Sequence, residues 1–301
     1  MGRIDLGNTN SLRDANPEHP ALGCAMPVIS THDGDVRCVG TSFLVLPGLA
    51  ITADHVVEDC LQYQQRRDGY KREDAVFSIN TLSLSDGHIY EWSVEALYGS
   101  RSAHIAFLQF RKPGWWGGSF TPSYPRLNFN PPRVGHQVRI FGFTQPILTE
   151  GVLSISAVEC LANVRTIVIK NDARLRPLSY VELDAETRCG MSGGPCFDKE
   201  WNVVGMHSNG LTDSESTPLA YMALIWPAMG VPIDHFKTGA FPVFDLFKDG
   251  KAQALGYERV IVKEGGVSIA PPRRSQAAPQ ESCESGHTPP LPSAQCRQGP
   301  L

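Results

Sequence analysis

The sequence predicts an all-β fold built from two six-stranded antiparallel β-barrels, with the active site of the protein in the cleft between them. Short segments rich in β-branched and aromatic residues recur along the middle of the chain, and Gly, Pro, Asn or Asp separates them. About six such segments lie on either side of a Pro-rich and Gly-rich stretch at 113–135, which is typical of a linker. Only the stretch 54–65 has the apolar spacing of an amphipathic helix.

Each candidate strand is predicted from its length and residue types. Most are four to eight residues long and carry Val, Ile, Phe or Tyr, which favour a pleated conformation. In the first half of the chain the candidates are 36–39, 42–46, 49–52, 76–79, 89–94 and 105–110. In the second half they are 138–143, 151–158, 164–169, 179–183, 203–206 and 219–223.

Composition divides the chain into three zones. Residues 1–20 are polar and are expected to form a flexible N-terminal segment. Residues 21–263 carry the apolar runs and are expected to form one domain, with a first barrel at about 21–112, a second at about 134–230 and a C-terminal extension to 263. Residues 264–301 are rich in Pro, Ser, Gln and Gly, so they bury too little apolar surface to offset the entropy of ordering. We therefore expect a disordered tail.

Charge and cysteine usage exclude several classes of function. A formal net charge of -4 provides no general attraction to nucleic acid or to an anionic membrane surface. No apolar run is long enough to span a bilayer, and the polar start lacks the apolar core of a signal peptide. A cytoplasmic protein with reduced thiols is therefore expected. Without a Cys-x-x-Cys or His-x-x-x-His cluster, neither a metal nor another cofactor is predicted.

The segment 190–195, which reads Gly-Met-Ser-Gly-Gly-Pro, is the strongest chemical signal in the sequence. A serine hydroxyl is a weak nucleophile unless a neighbouring base activates it. It also needs backbone amides directed at the oxyanion that forms during attack. Glycines beside Ser192 allow a tight turn that exposes the hydroxyl and those amides together. The same pattern also occurs in ordinary turns, so a matching base has to be found elsewhere in the sequence.

A histidine upstream of the serine provides that base. Two apolar segments lead into Thr-Ala-Asp-His at 52–55, which places His55 at the start of the predicted helix. A further strand, Ile-Ala-Phe-Leu at 105–108, lies between His55 and Ser192. The order histidine, strand, serine is that of chymotrypsin-like proteases.

On these residues the chain resembles the trypsin-like peptidase superfamily over roughly residues 25–230. In its motifs it is closest to the glutamyl-endopeptidase-like and bacterial intracellular branches. The resemblance implies a serine endopeptidase that forms an acyl-enzyme on Ser192, with His55 as the general base. It also implies that the amides of Gly190 and Ser192 form the oxyanion hole.

The third catalytic position departs from the family pattern. The family has an aspartate directly before the Ile-Ala-Phe-Leu strand, and this chain has His104. A neutral imidazole can hold the tautomer of His55, but it supplies no negative charge. His104 as the third member is one interpretation. A carboxylate from elsewhere, such as Asp86 or Glu95, and a weak or inactive site that only binds peptides are the alternatives.

Met191 is a second departure. Trypsin-like zymogens have an aspartate at this position, and it pairs with a newly cleaved N-terminus. Because Met191 cannot form that ion pair, we expect a site that is formed constitutively or on binding another molecule.

Two polar residues resemble the P1 pocket of glutamyl endopeptidases and viral 3C-type proteases. Those families place a threonine five residues before the nucleophile, here Thr187, and a Gly-x-His downstream, here ending at His207. The resemblance implies that these side chains recognise a P1 Glu or Gln in a protein or peptide substrate. Arg188 is beside Thr187, and a cationic pocket would favour Glu whereas a neutral one would favour Gln.

The C-terminal tail is a candidate binding segment for a regulatory partner, or a site of self-cleavage. Its proline pairs at 271–272 and 289–290 motivate this interpretation, and an inert tail is the alternative.

Overall fold

The computed structural model describes residues 13–14, 19–32, 35–68, 77–82, 89–110, 122–144, 147–149, 152–169, 179–211, 218–235, 239–263 and 266–271. Contacts group Met1–Ala270 into one compact unit, and Pro271–Leu301 is a second unit of which only Pro271 is described. None of the helices in the described ranges has the length and apolar character needed to cross a membrane.

Six antiparallel strands close the first barrel. The strand β1 (Arg13–Asp14) precedes it, and the barrel consists of β2 (Ala25–His32), β3 (Asp35–Leu46), β4 (Leu49–Ala53), β5 (Phe77–Leu82), β6 (Ile89–Ser100) and β7 (Ile105–Phe110). Neighbours pair in the order β2-β3-β4-β7-β6-β5, and β5 pairs back to β2. Helix α1 (Asp54–Asp68) begins directly after β4.

The predicted helix is confirmed and extends to Asp68. Its buried side is the predicted one, with Val56, Val57, Cys60 and Leu61 packed into the core. All five residues of β4 are buried, since one face lines the barrel and the strand also contacts α1 and the second barrel. The end of β4 is therefore a fixed point from which α1 starts.

The second barrel is a sheet that curls back onto itself. The strands in this part of the chain are β8 (Leu127–Asn128), β9 (Gln137–Phe143), β10 (Ile147–Thr149), β11 (Val152–Ser154), β12 (Ala157–Val168), β13 (Tyr180–Leu183), β14 (Pro195–Phe197), β15 (Val203–Leu211) and β16 (Leu219–Ala223). Pairing runs β14-β9-β12-β13-β16-β15, and β14 also pairs with β15, which completes a ring of six. Strand β1 pairs with β12, and β10 and β11 form a separate hairpin. The predicted two-barrel, all-β fold class is confirmed.

Further elements follow the second barrel. They are β17 (Pro232–His235), β18 (Gly239–Pro242), α2 (Phe244–Lys248), β19 (Ala254–Leu255), β20 (Val260–Lys263) and β21 (Gly266–Ile269). Three 3-10 turns at Pro20–Gly23, Trp226–Gly230 and Tyr257–Arg259 complete the described elements. Strands β8 and β19 pair in parallel and extend the sheet of the second barrel.

Two expected boundaries differ from the structure. Strand β1 lies inside the N-terminal segment 1–20 that was expected to be flexible. Strand β21 pairs with β20, so the expectation that order ends at residue 263 is wrong. The physical reason is the alternation of apolar residues in β21, whose Val267 and Ile269 pack against the core. The rest of the expected tail, 272–301, lies outside the described residues.

Most predicted strands are present, and within the two rings of six strands two members were not predicted. The candidates 105–110 and 219–223 match β7 and β16, whereas 36–39 and 42–46 are parts of one long strand, β3. Strand β2 was missed because it contains Pro27, and a proline inside a segment lowers the expectation of a strand there. Strand β14 was missed because it has only three residues.

Candidate active site

The serine loop, residues 190–194, is held in a conformation that glycine permits. Gly190 and Gly193 have positive φ angles of 96° and 88°. A Cβ atom on Gly193 would lie 2.0 Å from the Thr41 carbonyl oxygen and 2.3 Å from Thr52 Oγ1. No side chain fits in that space, so the close contact of the loop with β3 and β4 depends on glycine.

Thr41 links the serine loop to both barrels. Its amide donates to the Ser192 carbonyl at 2.7 Å, and its hydroxyl donates to the Gly190 carbonyl at 2.7 Å. The same hydroxyl accepts a hydrogen bond from the Phe143 amide on β9 at 2.9 Å. All three bonds are buried and join residues that are far apart in the sequence. Sequence reasoning did not identify this role, because it treated Thr41 only as part of a strand.

His55 is the second residue of α1 and is half-buried. The serine loop packs against the end of β4, directly before α1. A Cβ atom on Gly193 would lie 2.9 Å from the amide nitrogen of Ala53, the last residue of β4. Burial lowers the pKa of His55, while the carboxylates of Asp59, Asp54 and Glu58 act in the opposite direction. Among the described residues, no hydrogen bond joins the side chains of His55 and Ser192.

His104 lies in the turn before β7, with φ of +56°. This left-handed conformation is uncommon for a side chain other than glycine, although His, Asn and Asp adopt it more readily than most. The His104 carbonyl accepts a hydrogen bond from the Asp54 amide at 3.0 Å, which joins the turn to the start of α1. Burial and the nearby His55 lower the pKa of His104, so its imidazole is neutral at neutral pH.

Of the two alternative carboxylates the structure describes only Glu95, and it is not brought to this histidine pair. Glu95 is exposed on β6 and is not among the charges that act on the pKa of His55 or His104. Asp86 lies outside the described residues.

The amides expected to form the oxyanion hole are unpaired in the described chain. The amides of Met191, Gly193 and Gly194 donate to the carbonyls of Arg188, His207 and Met191 at 2.8–3.1 Å. By contrast, the amides of Gly190 and Ser192 donate to no acceptor among the described residues. Because unpaired amides are rare in a packed loop, this pattern indicates donors available to an incoming oxyanion.

Met191 is fully buried and has no need of a charged partner. Its Sδ accepts a weak hydrogen bond from the Arg188 amide at 3.4 Å. A Cβ atom on Gly142 of β9 would lie 2.8 Å from Met191 Cα, so the loop and the second barrel are in close contact. The loop is therefore packed around the apolar side chain of Met191, at the position where trypsin-like zymogens have an aspartate.

His207 lies on β15, and its side chain is buried. Its backbone is paired with the serine loop, since its carbonyl accepts from Gly193 and its amide donates to Gly194, both at 2.8 Å. Burial lowers the pKa of His207 to about 4, although a hydrogen bond to the Tyr221 backbone acts in the opposite direction. Its Nδ1 is buried without a hydrogen-bond partner among the described residues. His207 is thus neutral at neutral pH and has one unused ring nitrogen.

Thr187 approaches the same strand. Its Oγ1 lies 2.2 Å from the position that a Cβ atom on Gly210 of β15 would take, so the hydroxyl rests against the strand that carries His207. Arg188 is exposed at the surface beside it. The charge of His55 also lowers the pKa of His207, which shows that the two imidazoles are close enough to interact. The two expected P1 residues thus lie at the same strand, β15, and the charge of His55 acts on one of them.

A two-barrel fold with a glycine-rich serine loop at the junction of the barrels defines the class of chymotrypsin-like serine peptidases. The chain matches the family model of the trypsin-like peptidase domain over residues 40–206, which is more than half of its 301 residues. The chain therefore belongs to the trypsin-like peptidase family.

Several solved structures are similar to this chain. The active form of the Rv3671c protease from M. tuberculosis has 18% sequence identity and a TM-score of 0.44, with coverage of 73% of this chain and 88% of that one. The MamO protease domain from Magnetospirillum magneticum has 14% identity, a TM-score of 0.47 and coverage of 69% and 94%. Deg5 has 14% identity, a TM-score of 0.46 and coverage of 66% and 82%. No curated protein gives a significant match.

Proposed function

We propose that this protein is a serine endopeptidase that forms an acyl-enzyme on Ser192, with His55 as the general base. The observation that carries the proposal is the serine loop, in which the amides of Gly190 and Ser192 have no acceptor among the described residues while those of Met191, Gly193 and Gly194 are bonded. The loop packs against the end of β4, directly before the helix that carries His55. These contacts support a nucleophile, a base and oxyanion donors at one junction of the two barrels.

The reaction follows from these positions. The Ser192 hydroxyl attacks the scissile carbonyl carbon and its proton moves to His55. The carbonyl oxygen becomes an oxyanion that accepts hydrogen bonds from the amides of Gly190 and Ser192. When the peptide C–N bond breaks, His55 returns the proton to the leaving amine. Water then attacks the ester, again with His55 as the base, and releases the acid product and free Ser192.

His104 is proposed as the group that orients His55. Its neutral imidazole can accept a hydrogen bond from His55 and so select the tautomer that leaves the other nitrogen free for Ser192. The Asp54–His104 backbone bond at 3.0 Å supports this role, because it holds the His104 turn against the first turn of α1.

We further propose a P1 preference for Glu or Gln, the specificity of the glutamyl-endopeptidase-like branch that the motifs resemble. The neutral imidazole of His207 has a single N–H, and the ring donates it to the Tyr221 backbone. Its Nδ1 then carries no proton and has the character of a hydrogen-bond acceptor. The neutral ring offers no positive charge to a substrate carboxylate, whereas the Thr187 hydroxyl can donate to the side-chain carbonyl of a glutamine. The uncharged pocket therefore favours Gln over an ionised Glu.

Labelling with a fluorophosphonate probe tests the proposed activity. The purified wild-type protein should form one covalent adduct, and Ser192→Ala should form none. The exposed Ser102 provides a matched control, since Ser102→Ala should leave labelling unchanged. An unlabelled, folded wild-type protein would count against an active peptidase.

A second candidate function is peptide binding without turnover. It is favoured by one observation, which is that His104 supplies no carboxylate where the family has one. Peptides with Glu, Gln, Lys or Phe at P1 separate the two functions. Measurable affinity without cleavage of any peptide would support the binding protein, and cleavage would exclude it.

The remaining expectations, a cytoplasmic location and a regulatory partner or self-cleavage at the tail, stay proposals. Deletion of residues 272–301 tests the second. If activity, partners and chain length in cells are unchanged by the deletion, the tail has no such role.

A further inference from the structure

The histidine pair needs a negative charge that His104 cannot provide. When His55 takes the proton of Ser192 it becomes a cation, and a nearby carboxylate stabilises that cation. Three carboxylates of the described chain act on the pKa of His55, and all belong to α1: Asp59, Asp54 and Glu58. Two of them, Asp54 and Glu58, also act on His104. The first turns of α1 are therefore the source of negative charge at this site.

Asp54 differs from the other two in its position. It is the first residue of α1, it precedes His55 directly, and its amide is bonded to the His104 carbonyl at 3.0 Å. Its carboxylate is half-buried, and Oδ1 lies 2.9 Å from the place that a Cβ atom on Gly99 would occupy. Gly99, on β6 beside the His104 turn, thus leaves the space that the Asp54 side chain occupies.

The other two carboxylates are exposed to solvent or face another charged group. Glu58 is partly exposed and faces the exposed Arg101, with 3.6 Å between its Oε1 and the guanidinium. Asp59 raises the pKa of His55 more than Asp54 does, but it is exposed and does not act on His104. Water and salt screen exposed charges, whereas a half-buried carboxylate is screened less.

We propose that Asp54 is a positioning residue, which supplies to His55 and His104 the negative charge that the aspartate before the Ile-Ala-Phe-Leu strand supplies in the rest of the family. This inference rests on the proposed function, because it assigns a role in the protonation of His55. Gly99 has a part in the same arrangement, since its missing side chain allows the Asp54 carboxylate to lie beside the His104 turn.

The electrostatics of Asp54 agree with this role. Burial raises the pKa of its carboxyl, and so does Glu58, while Arg101, His104 and His55 lower it. Because the two imidazoles lower the pKa of the carboxyl, the carboxylate and the protonated imidazoles favour each other. Since a negative charge favours the protonated imidazole, removing it must lower the pKa of both histidines. Burial of His207 nearby keeps that ring neutral, so it adds no competing charge at neutral pH.

NMR titration of the imidazoles in the full chain measures this effect independently of activity. Asp54→Asn, which keeps the shape of the side chain, should lower the pKa of both His55 and His104. Asp59→Asn is the matched control, with the same change five residues further along the same helix, and it should leave the pKa of His104 unchanged. Equal shifts of His104 in the two variants, or no shift of His104 in Asp54→Asn, would overturn the proposal.

Acylation by the fluorophosphonate probe adds a functional readout. In Asp54→Asn the acid limb of the pH–rate profile should move to lower pH, and the plateau rate should fall about tenfold. A merely structural defect would lower the rate without moving the limb. Gly99→Ala keeps the charge of Asp54 but displaces it, so it should also move the acid limb to lower pH and lower the plateau rate. Asp54→Glu keeps a carboxylate and should recover part of the rate lost in Asp54→Asn. An unshifted acid limb in Asp54→Asn would contradict the proposal.

The two readouts separate this inference from the proposed function. If the wild-type protein is not labelled but Asp54→Asn shifts the histidine pKa values as expected, the electrostatic role of Asp54 is supported and the peptidase reaction fails. If the wild type is labelled and Asp54→Asn titrates and reacts like the wild type, the peptidase stands and the role of Asp54 is excluded.

Discussion

The serine loop and the His104 turn form two halves of one site, and they differ in how closely they follow the family. The loop keeps the family's glycines, and buried bonds from Thr41 and a tight fit against β9 hold it between the barrels. The turn replaces an aspartate by a histidine in a left-handed conformation, next to a helix rich in carboxylates. The comparison indicates that the glycine-rich serine loop can be kept while the residue before the Ile-Ala-Phe-Leu strand changes.

The largest effect is expected where the serine loop meets the first barrel. Gly193→Ala should lower the rate of acylation by about a hundredfold or more, because a Cβ atom 2.0 Å from the Thr41 carbonyl must push the loop away and with it the oxyanion donors. Probe-labelling kinetics measure this change.

Gly135→Ala is the matched control for the backbone strain. Gly135 has a similar positive φ of 82°, but a Cβ atom there would meet nothing within 4 Å. This variant should acylate at the wild-type rate. If both variants react like the wild type, the arrangement of the serine loop is not what supports catalysis.

An intermediate effect is expected in the other half of the site. His104→Ala should lower the rate of acylation by about tenfold or more, whereas His104→Asp should preserve or raise it. His104→Asn separates conformation from chemistry, because asparagine tolerates the left-handed backbone but has no imidazole. Thermal melts check that each variant is folded. Equal rates in all of these variants would remove His104 from the mechanism.

The smallest effect concerns substrate choice. At pH 7.5 we expect kcat/KM to be about tenfold higher for a P1 Gln peptide than for its P1 Glu counterpart, because the neutral His207 cannot balance a carboxylate. The difference should shrink as the pH falls, since a protonated Glu can donate like the Gln amide. Thr187→Val and His207→Ala should weaken the preference. If the protein prefers Glu to Gln at pH 7.5 and the preference stays the same as the pH falls, the pocket is not uncharged.

Sequence reasoning found the parts of the site that have local patterns. The glycines around Ser192 and the Thr-Ala-Asp-His run at His55 are visible in single short segments, as are the strands that carry them. It did not find the linking role of Thr41, because the partners Gly190 and Phe143 are 149 and 102 residues away. The space that Gly99 leaves for Asp54 has no local signature for the same reason.

The fold, like the candidate site, was predicted where a short segment carries the pattern and was missed where residues distant in the sequence come together. Alternating or β-branched segments identified most strands, but β20 and β21 were missed as a hairpin because Gly-rich and Pro-rich neighbours dominate the composition there. Pairing between distant strands, such as the parallel contact of β8 with β19, follows only from the packed structure.

The central claim is that His55 activates Ser192 across the junction of the two barrels. Its most direct test is the rate at which a fluorophosphonate forms an adduct on Ser192, mapped by mass spectrometry, in the wild type and in a folded His55→Ala variant. The account predicts a single adduct on Ser192 whose formation is slowed at least about a thousandfold in the variant. Equal rates in the two proteins, or an adduct on another residue, would contradict it.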